Sequence, residues 1–187
     1  MPEFIAILRH FIRDERATST IEFLIMFPVI LTLFVAVFET GVILSRQVLM
    51  ERSLEEAARL LRLSREIVDP VTGQSRPPNA DDIKTAICDN TRAIRNCDSV
   101  MVVELTVIDR MTYAMPGNGA VCVRRDDPSH VPFSVFDQGA GNQLVMIRAC
   151  AVIDRILPFS GFGLNLARDD SGGLHMVAAS VYVNEPD

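Results

Sequence analysis

The chain has 187 residues, a formal net charge of −6 at pH 7 and 49% hydrophobic residues. That length holds one domain plus an anchor and is too short for two sizeable cores. The acidic balance, with no Lys/Arg block and no aromatic-basic interleaving, argues against nucleic acid as a partner, because such a chain meets phosphates with net repulsion.

In chain order, residues 1–17 read as a polar leader. Its three arginines, Arg9, Arg13 and Arg16, balance Glu3, Asp14 and Glu15, so its loss leaves the side-chain charge unchanged. It is not a secretory signal peptide: the apolar run comes after Arg16, is too long, and has no small-x-small site behind it. That run, from Ile21 to Leu44, spans about 24 residues, or ~36 Å of helix, enough to cross a hydrocarbon core of ~30 Å with some tilt. Glu22 lies almost at its front edge. An ionisable group inside a membrane helix costs roughly 2.5–3.5 kcal/mol, so Glu22 either reaches water at the interface or has a partner.

The helix is expected to continue beyond the bilayer. Ser45 to Arg65 contains neither Gly nor Pro, and Met50, Leu54, Ala57, Ala58 and Leu61 recur along one face. Glu55 and Arg59 form a favourable i,i+4 pair on paper. The reading is one helix from about Thr20 to Ser64 (residues 18–66 as a unit), kinked at Pro28. Residues 67–187 then form an α+β domain. Asp69–Gly73 and Ser75–Pro78 read as loop, and Asn79 as the N-cap of a short helix over Asp81–Asn90. About four mostly antiparallel strands follow: Ser99–Asp109, a short edge strand at Val121–Arg124, Gln143–Ile153 and His175–Asn184. A Gly- and Asp-rich loop, Ser160 to Gly173, separates the last two.

Cys88, Cys97, Cys122 and Cys150 allow three pairings. Closeness in sequence puts Cys88–Cys97 first and leaves Cys122–Cys150 to tie two strands, with buried free thiols as the alternative. A metal site is not expected, since no pair has Cys-x-x-Cys spacing and no histidine joins a ligand pattern. No cofactor or catalytic set is expected either. His10, His130 and His175 are isolated, Phe159–Gly163 has Phe where a nucleophile elbow needs its first Gly, and the triplets Gly117–Gly119 and Gly139–Gly141 lack a dinucleotide context.

The run Asp14-Glu15-Arg16-Ala17-Thr18-Ser19-Thr20-Ile21-Glu22-Phe23, followed by Pro28, resembles the start of the TadE family of pilin-like proteins of the tight-adherence (Tad) pilus system. Gly139-Ala140-Gly141-Asn142, Arg148 in an apolar strand, Leu157-Pro158 and Asn184-Glu185-Pro186 are similar to the family's far end. The family usually carries Gly before the cut, where this chain has Ala17. The resemblance implies cleavage between Ala17 and Thr18 by a prepilin peptidase. Glu22 would then pair with the new amine of a neighbouring subunit, and Glu22, Phe23 and Pro28 would set registry.

Local charge does not settle orientation, because Arg46, Arg52, Arg59, Arg62 and Arg65 follow the span. The family precedent puts the leader in the cytoplasm, the span in the bacterial inner membrane and the domain in the periplasm, with possible transfer to an extracellular pilus. The partners it implies are the lipid bilayer, other pilin-like subunits and an inner-membrane assembly platform. Two readings follow: a minor pilin or pseudopilin acting by helix packing, or an uncleaved, membrane-anchored periplasmic binding or scaffold protein.

Overall fold

A 45-residue helix, α1 (Thr18–Arg62), dominates the molecule and runs unbroken through Pro28. The computed structural model describes residues 18–63, 66–69, 72–117, 119–127, 132, 134–155, 168 and 171–185. The leader with Ala17 and His10, then His130, Leu157–Pro158, Phe159–Gly163, most of the Ser160–Gly173 loop and Pro186 lie outside those residues. At 1.5 Å per residue α1 is about 68 Å long, twice what a bilayer core needs. Its second half therefore belongs to the head. Met50, Leu54, Ala57, Ala58 and Leu61 are buried there, on the face that their spacing marks out. Arg59 and Arg62 close the last turn, where cations favour the helix dipole. The helical ion pair that forms is Arg52–Glu56, 3.6 Å apart, and not Glu55–Arg59. Exposed pairs of this kind differ by only tenths of a kcal/mol, so sequence spacing does not choose between them.

After α1 come β1 (Ile67–Val68), β2 (Ser75–Arg76), α2 (Ala80–Asn90), α3 (Cys97–Val100), β3 (Met101–Ile108), β4 (Leu144–Ile153) and β5 (Leu174–Val183). β1 and β2 form a two-residue antiparallel ribbon inside the stretch that the sequence assigned to loop. Arg76 holds this ribbon to α2 through Asp82, at 2.5 and 3.0 Å, and reaches Asp69 at 3.4 Å. The guanidinium holds the Asp82 carboxyl below the usual carboxylate range. α2 starts on a capping box: Asn79 Oδ1 accepts from the Asp82 N–H, and Asp82 Oδ2 accepts from the Asn79 N–H.

The main sheet is antiparallel with order β3-β4-β5. Its inner face carries Met101, Val103 and Leu105 of β3, Val145, Ile147, Ala149, Ala151 and Ile153 of β4, and Leu174, Met176, Ala178 and Tyr182 of β5. That face packs on α1 and α2, with Ile83 and Ile87 of α2 fully buried in the same core. The sheet has three strands where the sequence suggested about four. Val121–Arg124 is not a strand, because Cys122 is fastened to Cys150 on the outer face of β4, the central strand. A segment tied over the middle of a sheet cannot pair along its edge. The β3 edge is instead met by residues 135–137, through Leu105 N–H to the Val135 carbonyl (2.8 Å) and Asp137 N–H to the Leu105 carbonyl (3.1 Å).

Candidate functional site

Over Ile21–Phe38 the large apolar side chains of α1 are exposed all round the helix: Ile21, Phe23, Leu24, Ile25, Met26, Phe27, Val29 and Ile30, then Leu31, Leu33, Phe34, Val37 and Phe38. A helix apolar on every face needs either lipid or neighbouring helices around it. Among the described residues α1 is the one helix long and apolar enough to cross a membrane. Several hydroxyls along it are satisfied internally. Thr32 donates to the Val29 carbonyl, Thr40 to that of Ala36 and Ser45 to that of Gly41, at 2.7–2.8 Å, so none of these protons is left facing hydrocarbon. Pro28 has no N–H to give the Leu24 carbonyl, yet the helix passes through it. Thr18 opens α1, and Glu22 stands exposed one turn further on, beside the stacked rings of Phe23 and Phe27, 5.2 Å apart.

A second acid in the span escaped the sequence reading. Glu39 is buried, only 7% exposed. It lies four residues before Ile43 and eleven before Met50, so it continues the head-facing stripe one turn toward the membrane. Extending that stripe backwards from Met50 would have found it. The fully lipid-type surface thus ends at Phe38, and 18 residues from Ile21 give ~27 Å, close to a hydrocarbon thickness.

The head holds α1 by polar links as well as by packing. Thr91, fully buried, places its hydroxyl 2.6 Å from Ser53 Oγ and 2.8 Å from the Ile87 carbonyl, joining α2 to α1. Gln47 Nε2 donates to the Val177 carbonyl at 2.8 Å, and Arg62 pairs with Glu185 at 3.5 Å. α1 and β5 therefore run parallel, with matched ends.

Cys88 is joined to Cys97 and Cys122 to Cys150, with Cα separations of 5.6 and 5.2 Å, and no free cysteine remains. The motifs at the far end of the chain come together. Asn184, 9% exposed, donates its side-chain amide to the Gln138 carbonyl at 2.5 Å, and its backbone exchanges hydrogen bonds with Asn142 and Gln143. It thus closes the Gly139–Asn142 loop. Gly139 has φ +68, a conformation that strains any residue with a Cβ, and a Cβ there would also crowd Val107 Cγ2 and Val145 Cγ2, at 3.1 and 3.2 Å. Arg148 forms a buried ion pair with Glu104, its direct cross-strand neighbour, and also donates to the Gly117 carbonyl. These residues build the head. Among the described residues no cluster of His, Cys, Asp and Glu is arranged to hold a metal.

What the geometry defines is an α+β protein whose long apolar N-terminal helix, compatible with a single membrane span, is also a structural element of its head. Residues 17–59 match the family model described as TadE-like protein, so over that helix the chain is similar to this family. Neither a curated protein nor a solved structure matches the chain.

Proposed function

We propose that the protein is a pilin-like subunit, a minor pilin or pseudopilin, of a Tad-type pilus system, acting through assembly and not catalysis. The observation that carries this reading is the division of α1. Its first half exposes apolar side chains on every side and presents Glu22 near its start, while its second half is built into the head core. A simple tether needs no fixed coupling between span and domain. A subunit that transmits helix packing to its head does.

In this reading a prepilin peptidase cuts between Ala17 and Thr18, leaving Thr18 with a free amine. Glu22 accepts the amine of a neighbouring subunit in a low-dielectric bundle. Such a pair specifies registry more than it adds stability. Phe23 to Phe38 supply the apolar surface, first to lipid and then to other pilin-like helices. The leader side is cytoplasmic and the head periplasmic, with the helix in the inner membrane next to the assembly platform.

The test is Glu22→Leu in the native host. Piliation is expected to stop while the protein still partitions with membranes. Normal piliation with Glu22→Leu would leave α1 as a tether and favour the anchored-scaffold reading.

A further inference from the structure

The head carries a concentration of positive charge at one end, at odds with the overall balance of −6. A cleft of ≈ 970 Å³ is lined by Arg46 of α1, Arg95 before α3, Arg124 and Arg125 of the outer segment, and Arg155 after β4, with Asp154 as its acid. Arg125 is committed to Asp154 (2.6 Å) and Ser171 (3.0 Å), and Arg124 pairs with Asp126 (3.0 Å). Arg46 reaches only the Asp154 carbonyl, at 3.4 Å, and Arg95 and Arg155 make no ion pair among the described residues. Three guanidinium groups are thus available at one opening.

The register of α1 on the sheet fixes where that opening lies. Gln47 meets Val177 and Arg62 meets Glu185, so moving back along β5 toward Leu174 also moves back along α1 toward the membrane. Leu174 pairs with Ile153, and Asp154 and Arg155 follow directly, level with Arg46. Met101, at the start of β3, lies opposite Ala151 at the same end, with α3 and Arg95 just before it. The cleft is therefore at the membrane-proximal rim of the head. Arg46 is eight residues beyond Phe38, or ~12 Å along the axis, a few Å outside a headgroup layer ~5–7.5 Å thick on each side of the core, and its long side chain can reach back to that layer.

We propose that this arginine cleft binds the phosphate of anionic phospholipid headgroups in the leaflet on the head's side. Guanidinium groups suit this task because they present paired N–H donors to two phosphate oxygens at once. The contact would hold the head at a fixed tilt against the membrane while the subunit is stored there. It rests on the membrane-anchor reading of α1 and not on the pilus assignment. It also gives a use on the head side to Arg46, the first of the arginines that follow the span.

The experiment reconstitutes the full chain in discs of phosphatidylcholine with a minority of phosphatidylglycerol. Retained lipids are counted by native mass spectrometry, and incorporation and thermal melting are recorded for each variant. Wild type is expected to retain phosphatidylglycerol above its share of the mixture. Arg46→Gln/Arg95→Gln/Arg155→Gln should lose that enrichment, by about five-fold per arginine near the surface, with unchanged melting. Arg52→Gln/Arg59→Gln, which removes two cations of α1 outside the cleft, should keep it. Arg95→Gln alone, at an exposed side chain, gives the same readout if the triple variant does not fold. Equal retention by wild type and the cleft variants overturns the proposal. So does an arginine-dependent melting shift by inorganic phosphate in purely zwitterionic discs without phosphatidylglycerol retention, which would assign the cleft to a soluble anion. Failure of the wild type to enter discs would instead contradict the membrane-anchor reading on which the proposal stands.

Discussion

At the residue scale, the head depends on a few buried polar groups whose partners are set by strand register. Arg148 and Glu104 face each other across β4 and β3 and are nearly excluded from water, at 13% and 6% side-chain exposure. Removing one partner of such a pair strands the other charge, at about 3–5 kcal/mol, whereas replacing both with apolar groups is often neutral. Arg148→Met is therefore expected to lower the stability of the head by that amount in a denaturant titration. Glu104→Leu/Arg148→Met should recover most of the loss; a double variant as unstable as the single would mean that the Gly117 contact, not the pair, is what matters.

Tyr182 gives a pH signature. Burial pushes its phenol up from 10.0 to about 12, and among the described residues its hydroxyl has no hydrogen-bond partner. Below pH 10 the phenol is neutral in both the folded and the unfolded chain and contributes no pH dependence. Between about 10 and 12 the unfolded chain ionises first, so stability falls as pH rises, by at most ~2.7 kcal/mol and by less where solvent screens the phenolate, and then levels off. Tyr182→Phe should abolish that fall, measured as the denaturation midpoint from pH 9 to about 12, and should be neutral or slightly stabilising at pH 7 because it removes an unsatisfied hydroxyl.

At the scale of elements, α1 shows both what a sequence discloses and what it conceals. The buried stripe from Met50 to Leu61 was legible because period 3.6 is a strong signal, and the N-cap at Asn79 because its chemistry is local. Glu39 was not, since hydropathy alone merges it with the apolar run; only its phase relative to Met50 reveals that it faces the head. The ribbon β1–β2 was read as loop because two-residue strands carry no periodicity. The sequence suggests a short edge strand at Val121–Arg124, whose exclusion from the sheet depends on Cys122 meeting a residue 28 positions away. The two bridges should also differ in strength. By loop length, opening Cys122–Cys150 is expected to cost about 3–4 kcal/mol and opening Cys88–Cys97 about 1 kcal/mol less. Thermal unfolding of the paired Cys→Ser variants checks that order.

At the scale of the whole molecule, the anchor and the head are one mechanical unit. Leu54, almost fully buried, sits in the head-facing stripe of α1 between Met50 and Leu61. Leu54→Ala should cost about 2–5 kcal/mol in the head. It should also loosen α1 from β5, seen as faster amide exchange around Gln47 and Val177, without impairing membrane partition. The side chains from Ile21 to Phe38 are exposed, and in the proposed scheme they would exchange lipid for neighbouring helices, with Glu22 selecting their register.

That scheme requires a free amine at Thr18. Intact mass and N-terminal sequencing of the protein recovered from its native membrane measure this directly. A chain that starts at Thr18 is the expected result, with Ala17 accepted by the peptidase and Glu22 given its partner. Recovery of the chain with residues 1–17 still attached would contradict the assembly mechanism and leave α1 as a permanent anchor.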